Sequence, residues 1–103
     1  MISLDYYETL FNHNQRKLVM LREIIVTDFK KMEQAFFEAD VTRNLKVMQL
    51  ELHKMNPIVS NLKYQELSSL IEKYRTFNEY DDSIALLHSE LKFHLNTIYV
   101  FLK

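Results

Sequence analysis

Not one glycine occurs among the 103 residues of this chain, and proline occurs once, at Pro57. A β-rich fold of this length would reverse direction many times, and tight reversals rely on residues that accept positive φ or carry a preset turn geometry. Helix interiors need neither, so the chain is predicted to be all-α before any periodicity is considered. Its length suits one domain, 1–103, and a hydrophobic content of 48% allows a core to be buried.

Hydrophobic spacing divides the chain into five helical segments. Ser3 or Asp5 is expected to cap a short helix reaching Phe11, and Asn12, His13 and Asn14 form a polar turn. From about Asn14 to Ala39, Leu18, Leu21, Ile25, Met32 and Phe36 recur along one side of a long helix. Asp40, Val41 and Thr42 interrupt that pattern, with Thr42 the expected N-cap of the next helix. The third helix carries the most regular seam: Leu45, Met48, Leu52, Met55, Val59 and Leu62 alternate steps of three and four. A fourth helix carries Leu67, Leu70, Ile71 and Tyr74, and the polar stretch Asn78 to Asp82 ends it, offering Asp81 or Asp82 as a cap. The last helix is predicted from Ser83 to near the end, with Ile84, Leu87, Leu91, Leu95, Ile98 and Leu102 inward. Short connections make successive helices antiparallel, so the expected fold is an up-and-down antiparallel four-helix bundle with a short additional N-terminal helix.

Several functional classes are disfavoured at this stage. The formal net charge is -1, with 13 basic and 14 acidic residues, so no strong field points to nucleic acid or an anionic membrane. Cysteine is absent, which excludes disulfides and thiolate metal sites. The N-terminus lacks a basic patch followed by an apolar run, and the apolar stretch Leu95 to Leu102 is too short to span a bilayer, so a cytoplasmic location is the expectation. A chain without glycine has no Gly-rich nucleotide loop, so kinase activity of its own is not expected.

The segment that bears on chemistry runs from Leu52 to Leu62. With Leu52, Met55, Val59 and Leu62 directed inward, His53, Asn56, Pro57 and Ser60 fall at i, i+3, i+4 and i+7 beside the seam, on a strip facing outward or nearly so. A neutral imidazole is abundant near pH 7, has a nucleophilic ring nitrogen and can carry a phosphoryl group as a phosphoramidate. Such a carrier needs open access, which the compact Asn56, Pro57 and Ser60 leave. Pro57 also lacks the N–H that would bond the carbonyl of His53, a local cost of about 3 kcal/mol that usually kinks a helix.

The stretch resembles the His-x-Leu-Lys-Gly pattern of the histidine phosphotransfer (HPt) domain family, which sits on a helix of a four-helix bundle. His53 matches the phosphorylated histidine, Met55 the apolar residue two later, Asn61-Leu62 the end of that helix and Leu67 the first core leucine of the next. The long helix from Leu18 to Phe36 is similar to the family as well. The chain departs at Asn56, where the family usually has lysine, at Pro57, where glycine is usual, and at Lys63, where a helix-ending glycine is common.

The resemblance implies a monomeric carrier that passes phosphoryl groups between receiver-domain aspartates of a two-component phosphorelay. Its partners would be a response-regulator receiver domain and a hybrid histidine kinase. It would need no cofactor of its own, since the receiver brings the magnesium ion. Lys54 or Lys46 is expected to supply the charge that Asn56 lacks, and Val26 and Phe29, off the main stripe of the second helix, are expected to join Leu50 in an apolar patch that docks the receiver. The alternative is a degenerate HPt-like adaptor that docks a receiver or partner helix without being phosphorylated. His13, His88 and His94 read as structural or solvated. Glu90 and His94 have the i, i+4 spacing of helical metal pairs, but two ligands alone make a poor site, and no metal is assigned.

Overall fold

The computed structural model describes all 103 residues, Met1 to Lys103. The chain is all-helical: α1 spans Asp5–Leu10, α2 Gln15–Val41, α3 Leu45–Asn61, α4 Gln65–Arg75 and α5 His88–Phe101, with a 3-10 segment over Asp82–Leu87 before α5. The 27 residues of α2 rise about 40 Å at 1.5 Å each, which sets the long dimension of a molecule 45 × 21 × 19 Å across. α2 packs on α3, α3 on α4, and α4 on α5, which returns to α2. One apolar cluster of 23 buried residues joins all five helices.

The seam of α3 goes inward: Met48, Met55, Val59 and Leu62 are completely buried, and Leu45 and Leu52 nearly so. On α4, Leu67, Leu70, Ile71 and Tyr74 are buried. On α2 the buried residues are Leu18, Ile25, Phe29, Phe36 and Ala39, whereas Leu21 and Met32 lie at the margin. Phe29 therefore does not belong to an exposed docking patch. It stands four residues after Ile25 and three before Met32, so it continues the α2 stripe, and its ring is 0% exposed.

Without glycine, the turns use other residues in the left-handed region: Asn12, His13, Arg43 and Lys63 have φ between 51° and 58°. After α2, the Arg43 N–H bonds the Asp40 carbonyl at 3.0 Å and the Asn44 N–H bonds that of Ala39 at 2.8 Å. After α3, the Lys63 N–H bonds the Ser60 carbonyl at 3.0 Å and the Tyr64 N–H bonds that of Val59 at 3.1 Å. Both are Schellman ends, which satisfy carbonyls that the last helical turn leaves free. Asn44 closes the first turn and caps α3 as well, its Oδ1 accepting from the Val47 N–H at 3.3 Å. Thr42 is thus not the cap of α3; α2 continues through Val41, and the Thr42 hydroxyl donates to the Ala39 carbonyl at 3.1 Å.

At the start of α1, the Ser3 hydroxyl accepts from the Asp5 N–H at 3.0 Å, and α1 docks through buried Tyr7, whose hydroxyl accepts from Asn61 Nδ2 at 3.2 Å. Asp81 accepts from the Ser83 N–H at 2.8 Å, but the turns that follow are 3-10, and the last α-helix begins at His88 rather than Ser83. Ile84 and Leu87 are three residues apart, one 3-10 turn, so this tighter winding keeps both on the inner side. Leu91, Leu95, Ile98 and Leu102 then follow with α-helical spacing, and all four are buried. No helix is long and apolar enough to cross a membrane.

Candidate functional site

His53 is exposed near the middle of α3, on the side away from the core seam. Pro57 and Ser60 are exposed on the same strip, as are Lys46 and Leu50, the latter 49% exposed. Pro57 lies within the α3 span, which runs unbroken to Asn61. Having no N–H, it leaves the His53 carbonyl without its usual helical donor.

Each of the other three histidines has a partner. His13 Nδ1 lies 3.7 Å from Glu8, His94 Nδ1 is hydrogen-bonded with the Tyr64 hydroxyl, and His88 bridges two groups described below. The His53 ring has no hydrogen bond, ion pair or aromatic neighbour. Its reactive atoms are therefore free on both sides of the ring.

The residues around His53 divide between two flanks of α3. Glu51, 7% exposed, is the one buried charged residue of the molecule, and its Oε2 accepts from Lys54 Nζ at 3.0 Å. Glu51 and Lys54 share an open depression with Asp28, Lys31, Met32 and Ala35 of α2, so Lys54 is drawn to the α2 side of α3. Lys46 has no ionic partner. Asn56, half-buried, has its Oδ1 fully buried with no hydrogen-bond partner, an arrangement that costs free energy where it stands. Gln49, one turn before His53, donates from Nε2 to the carbonyls of Tyr74 at 3.1 Å and Phe77 at 2.9 Å and so ties α3 to the end of α4.

The expected docking patch is not assembled. Phe29 is in the core, Val26 is half-buried against it, and of the three residues Leu50 alone is exposed. Exposed charge on α3 is of one sign, since Lys46 and Lys54 lie on its surface while its one acid, Glu51, is buried.

A second polar cluster lies at the C-terminal end of α4. His88 Nε2 is 3.0 Å from Asp40 Oδ1, and His88 Nδ1 is 2.9 Å from the Tyr74 hydroxyl. The Tyr80 hydroxyl donates to the same Asp40 oxygen at 2.8 Å. Phe36, Phe37 and Tyr74 surround the imidazole with ring centroids 5.4 to 6.0 Å away. Burial works to raise the Asp40 carboxyl, but the contacts with His88 and Tyr80 and the nearby charges of His88 and Arg43 outweigh it and hold the group below its ordinary value. Burial, reinforced by the charges of Asp40 and Glu90, pushes the Tyr74 phenol well above its own. Tyr74 is almost inaccessible, so this cluster ties helices together and offers no reacting atom to a substrate. Its members come from α2, α4, the following loop and α5, and no local spacing in the sequence announces them.

Compared with protein-family models, with curated proteins and with solved structures, the chain matches none.

Proposed function

We propose that this protein is a histidine-containing phosphotransfer protein, built as an up-and-down four-helix bundle of α2 to α5 with α1 added at its N-terminal end. It carries phosphoryl groups between receiver-domain aspartates in a two-component phosphorelay. The observation that carries the reading is the partner-free, exposed imidazole of His53 on a helix whose other face is core.

In the transfer, a neutral ring nitrogen of His53 attacks the phosphorus of an aspartyl phosphate. A P–N bond forms as the P–O bond breaks, and the aspartate leaves as carboxylate with the bonding pair. The other ring nitrogen holds the imidazole proton and exchanges it with solvent. Pro57 and Ser60 leave the approach open, and Lys46 adds positive charge to the strip. By the family resemblance, the partners are a response-regulator receiver domain, which brings the magnesium ion, and a hybrid histidine kinase. The carrier acts as a monomer in the cytoplasm with no kinase site of its own.

A second reading is favoured by one observation: Asn56 brings no charge, and its acceptor oxygen is turned into the protein. On that reading the chain is an adaptor that docks a receiver without being phosphorylated. Incubation with a receiver carrying radiolabelled aspartyl phosphate decides between them. Label on the wild type that His53→Gln abolishes upholds the carrier, and unlabelled protein that still binds the receiver upholds the adaptor.

A further inference from the structure

α3 and α4 are joined by a short turn and run antiparallel, and two observations show which parts of them lie side by side. Ser60 of α3 and Ser68 of α4 line one open depression of about 330 Å³ on the outer groove between the helices, with Lys63, Tyr64 and Gln65. Further along, Gln49 reaches the carbonyls of Tyr74 and Phe77.

Residues seven apart on a helix return to nearly the same face. Seven residues before Ser60 on α3 is His53, and seven residues after Ser68 on α4 is Arg75. Because the helices are antiparallel, both steps move the same way along the groove. The register thus brings Arg75 to within about one helical turn of the His53 level, on the flanks that Ser60 and Ser68 occupy. The Gln49 bonds hold the C-terminal end of α4 against the same half of α3 and set Arg75 nearer the level of Gln49, one turn from His53, a separation that the long arginine side chain can span.

Arg75 has the chemistry that the α3 strip lacks. Its side chain is 64% exposed, and its guanidinium is engaged only by Glu72, at 3.1 Å, one turn earlier on the same flank. An exposed pair of this kind is weak and exchangeable, and the planar fork of a guanidinium matches phosphoryl oxygens two at a time. Lys54 is drawn to Glu51 on the opposite flank of α3, and Asn56 is uncharged.

We infer that Arg75 is the phosphoryl-contacting cation of the His53 site, supplied by the neighbouring helix instead of by α3. The inference rests on the carrier reading above. When the phosphoryl group arrives on His53, Arg75 exchanges the Glu72 carboxylate for the phosphoryl oxygens and offsets their charge.

The test follows the rate of phosphoryl transfer from a labelled receiver to full-length wild type, Arg75→Gln, Arg75→Lys and Lys73→Gln. Lys73 is an exposed cation two residues away that helical spacing puts on the other flank of α4. Circular dichroism establishes that each variant is folded. The expected result is transfer slowed about tenfold in Arg75→Gln, as for loss of one charge-assisted contact. Arg75→Lys should recover part of that loss, and Lys73→Gln should match wild type. If Arg75→Gln labels at the wild-type rate, or Lys73→Gln is slowed as much, the inference is overturned while the carrier reading stands. If wild type takes no label, both fall together.

Discussion

The Nε2 of His88 lies 3.0 Å from Oδ1 of Asp40, fastening the first residue of α5 to the last turn of α2. Tyr80 donates to the same carboxylate and Tyr74 contacts the other side of the imidazole, so the one long connection in the chain is held at both ends. The Asp40 carboxyl is depressed below 3.8 in the folded protein. The unfolded chain then binds more protons below that value, and Asp40's contribution is fully present above it and lost as pH falls through the lower folded value. Asp40→Asn should cost about 1–2 kcal/mol at neutral pH. In urea titrations from pH 7 downward, the gap between wild type and variant should stay constant to about pH 4 and narrow below it. A gap unchanged down to pH 2 would contradict the assignment.

Two histidines should separate cleanly by substitution. His53 is exposed and partner-free, so His53→Gln should shift stability by no more than about 0.5 kcal/mol while removing phosphoryl acceptance. His88 is packed among Phe36, Phe37 and Tyr74 with a side chain only 15% exposed, so His88→Ala should destabilise by roughly 2–3 kcal/mol. Thermal melts of the two variants beside wild type check this. Equal losses in both would show that His53 has a structural role.

Phe29 and Leu50 offer a parallel contrast between core and surface. With its ring wholly buried, Phe29→Ala should cost about 3–5 kcal/mol. Leu50→Ala, at a half-exposed position, should stay within about 0.5–1 kcal/mol of wild type. Denaturant midpoints measure both, and a near-neutral Phe29→Ala would mean that α2 is rotated from the described packing.

Lys63 holds φ at 58° with no side-chain partner to offset it. The left-handed region costs an L-residue with a Cβ about 1–2 kcal/mol, which glycine avoids while losing more backbone entropy on folding. Lys63→Gly should therefore stabilise by roughly 0.5–1 kcal/mol, read as a rise in melting temperature. Lys63→Val should do the reverse, because a β-branched residue tolerates that region least.

Pro57→Ala restores an N–H within reach of the His53 carbonyl. It should raise stability by roughly 1–3 kcal/mol, since an interior proline costs about 3 kcal/mol and returns part of that by stiffening the unfolded chain. Transfer to His53 measured on the same variant shows whether the proline's effect on backbone shape matters to the site. Slower transfer in a more stable protein is the expected outcome.

The absence of glycine and the three-and-four spacing of Leu45 to Leu62 were enough to determine an all-helical chain and the inward face of α3. Helical faces follow from a local repeat of 3.6 residues, so the exposed strip of His53, Pro57 and Ser60 was legible along with the seam. The same reasoning, applied with one wrong step on α2, displaced Phe29 from a stripe to which its spacing assigns it. Tertiary structure alone decided what no local repeat encodes. It drew Lys54 to a buried carboxylate beside α2, joined Asp40 to His88, set the 3-10 turns before α5 and tied Gln49 of α3 to the end of α4. Each of these depends on how separate helices register against one another, and that is set by the packing of the shared core, not by the order of residues along any one helix.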